Sequence, residues 1–331
     1  MFESDVNACP LIRVGLKVTH SMKRIVVVGS LNNDLVFTAK KFPEPGETVM
    51  GETLQTFCGG KGANQAFAAG KLGADVVMLG QIGNDAAGEA QIANLTRAAV
   101  RTDWITRDET QPTGTAIIGV DAQHENRIVV IPGANGTFTA ETLATKREAF
   151  AGAHYVLLQL EIPMPTVEAA ARFAKKSGAI VILDPAPAAL LADQLLANCE
   201  YLTPNLTELA ALTQHPLDEN SSADQIEAAA RQLCARGVTK VIVKQGRRGA
   251  MLVTRESATN WPAFQVNAVD TTAAGDAFNG AFAAQLAAGA NEFDAAVFAS
   301  AAAAISVTRA GAQASMPSRD EVETFIRIHQ R

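Results

Sequence analysis

The residues best suited to chemistry sit in short polar stretches that directly follow apolar, β-branched runs. In open α/β sheets that is the ligand-binding place, beyond the carboxyl ends of the strands. The most pointed stretch is Asp270-Thr271-Thr272-Ala273-Ala274-Gly275-Asp276-Ala277-Phe278-Asn279-Gly280. Small residues ending in glycine open an alanine-rich helix, so its first N–H groups can approach an anion and its dipole favours the negative charge. Asp276 beside that seat could accept the proton of an attacking hydroxyl. The amides of Ala273, Ala274 and Gly275 would then steady charge on phosphate oxygens. A helix-stabilising acid in a first turn is the plainer alternative.

Five further stretches could serve the same chemistry. Gly59-Gly60-Lys61-Gly62-Ala63-Asn64 leads into a helix expected from about Asn64, and its three glycines would let a ligand sit against bare backbone. A Walker A loop is excluded, because Lys61 is followed by Gly62 rather than a hydroxyl residue; the loop reads as polyol-binding with a cation, or as a tight turn. Asn32-Asn33-Asp34 follows the opening strand and could pair with neighbouring hydroxyls, or simply form a turn. The spacing G-x-G-x-x-G is absent there, which removes the best support for a dinucleotide enzyme. Glu161 follows another strand. Asn205 and Glu208 stand at i and i+3, a spacing that fits a capping box or a carboxylate ordering water around Mg²⁺. Lys244-Gln245-Gly246-Arg247-Arg248-Gly249, also after a strand, offers backbone and cationic contact to a nucleotide.

These stretches need a frame. From Ile25 onward, apolar runs alternate with alanine-rich helical stretches, the mark of βαβ crossovers and a parallel sheet. Buried strands are predicted at Ile25–Gly29, Val76–Gly80, Tyr155–Gln159, Ile180–Leu183, Tyr201–Thr203 and Val241–Lys244, with helices such as Asn64–Leu72 and Thr166–Lys176 between them. Two segments, about 35–57 and 113–131, carry period-two patterns without an intervening helix. They predict antiparallel strands outside the main sheet, serving as a lid that excludes water or as an oligomer contact.

Composition narrows the function. With 331 residues, 48% hydrophobic and 19% charged, the chain can bury a large core. A net charge of −6 attracts neither nucleic acid nor an anionic membrane surface, and no apolar run is long enough to span a bilayer. Cys9, Cys58, Cys199 and Cys234 form no C-x-x-C pair, so a cytoplasmic setting is expected. Residues 1–21 do not read as a signal peptide. Both an untethered tail and translation starting at Met22 fit them.

Taken in order, the motifs resemble the ribokinase-like family of carbohydrate kinases, which phosphorylate small sugars and nucleosides. The resemblance runs from about Arg24 to Phe325. It rests on Gly29-Ser30 with Asn32 and Asp34, Pro45-Gly46-Glu47-Thr48, the Gly59 to Asn64 loop, Asp184-Pro185-Ala186-Pro187, Asn205 to Glu208, Asp270 to Gly280, and Val307-Thr308-Arg309 with Gly311-Ala312-Gln313. It implies a three-layer αβα fold over residues 22–331, with a mostly parallel sheet and a small β-sheet lid through which the protein would dimerise.

The resemblance also implies an ATP-dependent kinase acting on D-ribose to give D-ribose 5-phosphate. Asn32, Asp34, Gly60, Lys61, Gly62, Ala63, Asn64 and Glu161 would contact the sugar, and Asp276 would be the base. Asn205, Lys244, Gln245, Gly246, Arg247, Arg248, Gly249, Gly275 and Ser300 would face the nucleotide, and Glu208 would act on Mg²⁺ through water. Asp270, Thr272, Ser306, Arg309, Gly311 and Ser315 would hold K⁺, several through backbone carbonyls. Asn33 departs from the small residue usual between the family's Asn and Asp. Cys58, without a histidine nearby in sequence, reads as packing. A kinase for deoxyribose or a nucleoside, and more remotely a non-catalytic sugar sensor, remain as alternatives.

Overall fold

The computed structural model describes residues 23–123 and 125–329; the expectations for residues 1–21 and Met22 lie outside them. The chain enters on β1 (Arg24–Val28), leaves the main sheet for β2 (Asn32–Ala39) and β3 (Gly51–Gly59), and returns through α1 (Lys61–Lys71) to β4 (Val76–Gly83). There follow α2 (Ala86–Arg97), β5 (Arg101–Asp108), β6 (Gly114–Val120), β7 (Asn126–Ile131), the short α3 (Ala134–Thr137) and α4 (Ala140–Ala144), and β8 (Ala153–Leu158). The second half runs α5 (Met164–Lys176), β9 (Ile180–Leu183), α6 (Asp193–Leu196), β10 (Tyr201–Leu202), α7 (Leu206–Thr213), α8 (Ala223–Ala235) and β11 (Lys240–Lys244). It closes with β12 (Ala250–Val253), β13 (Ala258–Trp261), α9 (Ala274–Ala287), α10 (Glu292–Ser306) and α11 (Arg319–His329).

Nine strands form the main sheet in the order β13-β12-β11-β10-β9-β8-β1-β4-β5, parallel from β5 to β11 and antiparallel beyond. The parallel strands are continuous apolar runs because helices cover both faces. Ile25 and Val27 pack with α1, α9 and α10 on one face, whereas Val26 and Val28 pack with α5 and α8 on the other. The predicted three-layer architecture is therefore present. Strand order turns back beside β1, which lies between β8 and β4. Such a switch point leaves a crevice at the carboxyl ends of β1 and β8, where Ser30 and Glu161 stand.

The small sheet has the order β3-β2-β6-β7. Its central pair, β2 and β6, runs parallel, with Asn32 opposite Gly114, while the outer pairs are antiparallel. Each of the two segments thus forms an antiparallel pair outside the main sheet, as expected, and the two pairs meet in parallel because β6 enters from the main-sheet strand β5, not by a hairpin from β2 or β3. The turn reading of Asn32-Asn33-Asp34 is corrected, since these residues begin β2 and pair with Gly59, Cys58 and Phe57.

Three strands escaped the sequence pattern. Edge strand β5 reads Arg-Thr-Asp-Trp-Ile-Thr-Arg-Asp and is half-exposed, so it carries no apolar run. Strands β12 and β13 form an antiparallel extension without the helix that marks the other crossovers. Helix α1 also starts earlier than predicted, at Lys61, because Gly60 takes φ 88° and turns the chain directly into it.

Candidate active site

Asp276 lies in the first turn of α9, buried with 3% of its surface exposed. The helix opens on Ala273, a non-glycine residue at φ 59° with no side-chain cap. Its first N–H groups are thus not blocked by a capping side chain. Ala274 N–H makes a 3.3 Å turn bond to Thr271 O. Gly275 faces Lys244: a Cβ there would lie 3.1 Å from the Lys244 Nζ.

Both carboxylate oxygens of Asp276 accept amide donors, Oδ2 from Asn64 Nδ2 at 2.9 Å and Oδ1 from Gln65 Nε2 at 3.0 Å. Burial raises its pKa, the Lys61 ammonium opposes that, Asp184 adds to the rise, and the two amide donors lower it; the net direction is upward. Such a carboxylate is a better proton acceptor near neutral pH than a free one.

The loop ahead of α1 supplies those donors. A Cβ on Gly60 would lie 2.7 Å from Asn32 N, and one on Gly62 would lie 2.6 Å from the Gly29 carbonyl carbon. The glycines therefore let the helix start press against the end of β1, which drives Ala63, Asn64 and Gln65 into the interior. Burial disfavours the Lys61 ammonium, but the carboxylates of Asp276, Asp184, Glu161 and Glu208 prevail and hold it charged well above the usual lysine range.

On the β1 side, Glu161 Oε2 accepts from Ser30 Oγ at 2.6 Å and from Lys61 N at 3.1 Å, with Asn32 Nδ2 3.5 Å away. Asn135 holds Asn32 by donating Nδ2 to its Oδ1 at 2.8 Å. The same amide pairs with both backbone groups of Leu31. Asn32 thereby turns its own Nδ2 toward the crevice. Asp34 lies over Gly59, where a Cβ would meet its Oδ2 at 2.0 Å. Burial, then Glu161, then Asp276 push its pKa up to about 7.

Across the crevice, Lys244 Nζ donates to Asp184 Oδ1 at 2.9 Å, a largely buried ion pair. Gln65 Nε2 bridges Asp184 Oδ2, at 2.9 Å, to Asp276. Asn205 and Glu208 do form a capping box on α7. Burial raises the pKa of Glu208, against Lys244 and with Asp184, so the cap also belongs to this charged group. The residues Gly246–Arg248 form a 3-10 turn closed by Gln245 N to Gly249 O at 2.8 Å. Arg247 stays exposed, while Arg248 Nη1 donates to Ser221 O at 2.6 Å. Ser300 Oγ accepts from Trp261 Nε1 at 3.2 Å.

A third group lies behind the opening of α9. Asp270 accepts from Thr272 N and Gly311 N, both at 2.8 Å. Burial works against its charge, but these donors outweigh it and keep the carboxyl below its usual range. Val269 N and Asp270 N both donate to Val307 O, so this segment is stitched to the one that follows α10. The hydroxyls of Ser306 and Ser315 donate to Ala303 O and Ala312 O, each at 2.8 Å. The Arg309 side chain turns to Glu321, leaving its backbone as what it can offer here. Among the described residues no group of three or more His, Cys, Asp or Glu side chains is gathered as a metal cage.

Several polar residues in this crevice carried no role in the sequence reading: Gln65, Asn135, Gln159, Asp184 and Gln313. Gln65 had a faint signal, a polar residue beside Asn64 in a run that is otherwise small and apolar. Asp184 and Gln313 lay within recognised motifs. Asn135 had none.

The sequence pattern of the pfkB family carbohydrate kinases matches residues 22–319. A deoxyribokinase of Salmonella typhimurium is 38% identical over 307 residues, covering 92% of this chain and 99% of its own. A ribokinase of Haemophilus influenzae is 39% identical over 305 residues, covering 92% and 98%. Among solved structures, the Arabidopsis thaliana ribokinase complexed with ribose and ATP superposes with a TM-score of 0.87 at 34% identity, over 92% of this chain and 99% of that one.

Proposed function

The chain belongs to the pfkB family of carbohydrate kinases, and within it we propose that this protein transfers the γ-phosphoryl group of ATP to the terminal hydroxyl of D-ribose, giving D-ribose 5-phosphate. The observation that carries this reading is Asp276, a buried carboxylate fixed by two amides in the first turn of α9, between Lys61 and the Lys244–Asp184 pair. Phosphoryl transfer asks mainly for alignment and charge neutralisation.

Asp276 takes the hydroxyl proton as the oxygen attacks. The amides around Ala273, Ala274 and Gly275, with Lys244, meet the charge on the transferring group. Asn32 offers an N–H, and Asp34 and Glu161 offer carboxyl oxygens, to the sugar's hydroxyls, while Lys61, Gly60, Gly62, Ala63 and Asn64 form the wall opposite. Asn205, Gln245, the Gly246 to Gly249 turn and Ser300 line the nucleotide side.

Mg²⁺ fits beside Glu208, half-exposed and set among charged groups; bound with the nucleotide it neutralises phosphate charge. For K⁺, the stitched segments around Asp270, Thr272, Ser306, Arg309, Gly311 and Ser315 supply one carboxylate and clustered backbone, a donor set that suits a monovalent cation. A second copy of the chain would cover the face of the small sheet turned away from Asn32 and Asp34, where Leu54, Val129 and Ile131 are exposed.

Deoxyribose is a second reading, favoured by the Salmonella relative. A site that hydrogen-bonds a hydroxyl strongly rejects an analogue lacking it, so the ratio of turnover on the two sugars separates them. The base assignment is tested by Asp276→Asn. This variant is expected to fold and to bind sugar and nucleotide in calorimetry, with turnover about 10²–10⁴-fold lower. Near-native turnover would remove Asp276 from the reaction.

A further inference from the structure

The two amides that hold Asp276 are themselves held, and one of these supports comes from far along the chain. Gln313, buried with 3% exposure in the turn before α11, donates Nε2 to Asn64 Oδ1 at 3.1 Å. Its own Oε1 accepts from Asn94 Nδ2 on α2. The links run Asn94 to Gln313 to Asn64 to Asp276, each donor pointing toward the carboxylate.

The direction is set from the anionic end. An ionised carboxylate can only accept, so Asn64 must present Nδ2 to it and Oδ1 to its other neighbour. Gln313 must then present Nε2 to Asn64 and Oε1 to Asn94. A primary amide offers donors on one side and an acceptor on the other, so each residue in the line fixes the orientation of the next.

We propose that Gln313 is a positioning residue for the phosphoryl-transfer reaction, locking Asn64 in the orientation that donates to the ionised base Asp276 and so tying the segment after α10 to the reacting centre. The proposal rests on the reading of Asp276 as base. Gln313 touches neither nucleotide nor sugar in that reading and acts only through Asn64. The charged groups that face Asp276 are Lys61 from α1, Asp184 from the end of β9 and Asp34 from β2, with Lys244 of β11 reaching it through Asp184. None of these hydrogen-bonds Gln313, so its loss leaves their contacts in place.

The test is the pH profile of kcat for Gln313→Glu, in which side-chain length is kept and the donor becomes an acceptor. Asn64 Oδ1 would then face a carboxylate, the Asn64 amide would turn over, and Asp276 Oδ2 would lose its donor. A hydrogen bond to a charged group corresponds to about one to two pH units. The acid limb of kcat is therefore expected to move up by about that much, with kcat at pH 7 about tenfold lower or more and KM for ATP unchanged.

Gln313→Met removes the donor without adding charge, and is expected to move the limb in the same direction by less. It also serves should the charged variant fail to fold. A folded variant of either kind with the native profile would overturn the proposal, as would a fall in activity with no movement of the limb. If the unaltered protein releases no ADP with any sugar, the kinase reading itself falls. If it does release ADP but the profiles superimpose, the role of Gln313 alone falls.

Discussion

The main sheet and the small sheet both contain apolar strands, such as Arg24–Val28 and Asn126–Ile131, and treat them in opposite ways. In the main sheet, Ile25 to Val28 and Val76 to Leu79 are buried and covered by helices on both faces. In the small sheet, β7 is exposed along its whole length, and so is most of β3. Burial on both sides fixes position, because every apolar side chain of these strands is close-packed against a helix and any shift would open voids on both faces. The groups anchored at the ends of those strands, Asp184, Glu161 and Lys244, inherit that rigidity. The small sheet contributes Asn32 and Asp34 to the crevice and leaves its far face uncovered. An apolar face of that kind marks a contact made with something else. The crevice is thus framed by one rigid side and one side that depends on its surroundings.

The largest effect on this comparison is expected at the rigid side. Lys244→Ala leaves Asp184 buried without its cation, and breaking a buried pair from one side costs about 3–5 kcal/mol. Denaturant unfolding should show a loss of that order together with a fall in turnover. A midpoint unchanged from native would mean that the pair does not anchor the crevice.

On the other side, Asp34 links stability to pH. Its pKa is raised to about 7 by burial and its acidic neighbours, against 3.8 for the ordinary group. Below about pH 4 it is neutral both folded and unfolded, and its contribution is fully present. As pH rises toward 7 the unfolded chain ionises first, and that contribution is lost. Native stability should therefore fall across this window relative to Asp34→Asn, in which the group cannot titrate. Parallel melting-temperature curves for the two proteins would show that Asp34 does not sense its burial.

The smallest effect on folding is expected at Val129→Lys on β7, within about 0.5 kcal/mol. If a second copy covers that face, the same change should shift mass in sedimentation toward the monomer. An unchanged distribution would put the contact elsewhere.

How much of this could be read beforehand follows the same divide. The opening of α9 and the loop from Gly59 to Asn64 were legible because glycine clusters after apolar runs have one structural meaning, a backbone brought close to a helix start. Main-sheet strands were legible from their unbroken β-branched runs. The amides that finish the site were not: Gln65, Gln159, Asn135 and Gln313 meet partners about 90 to 250 residues away in sequence, and no local periodicity encodes such a pairing. Asp184 shows the same limit, since only the fold reveals that it lies between Lys244 and Gln65. Strand β5 was missed because this edge strand is polar at both ends and carries neither an apolar run nor an alternating pattern. The parallel pairing of β2 with β6 depends on a connection through the main sheet that a strand pattern does not contain.

The most direct test of the account is ADP release by the unaltered protein with ATP and Mg²⁺, over ribose, deoxyribose, fructose and adenosine, with and without potassium. It predicts sugar-dependent release that is fastest on ribose and increased by potassium. Release fastest on adenosine, or none above the sugar-free rate, would contradict it.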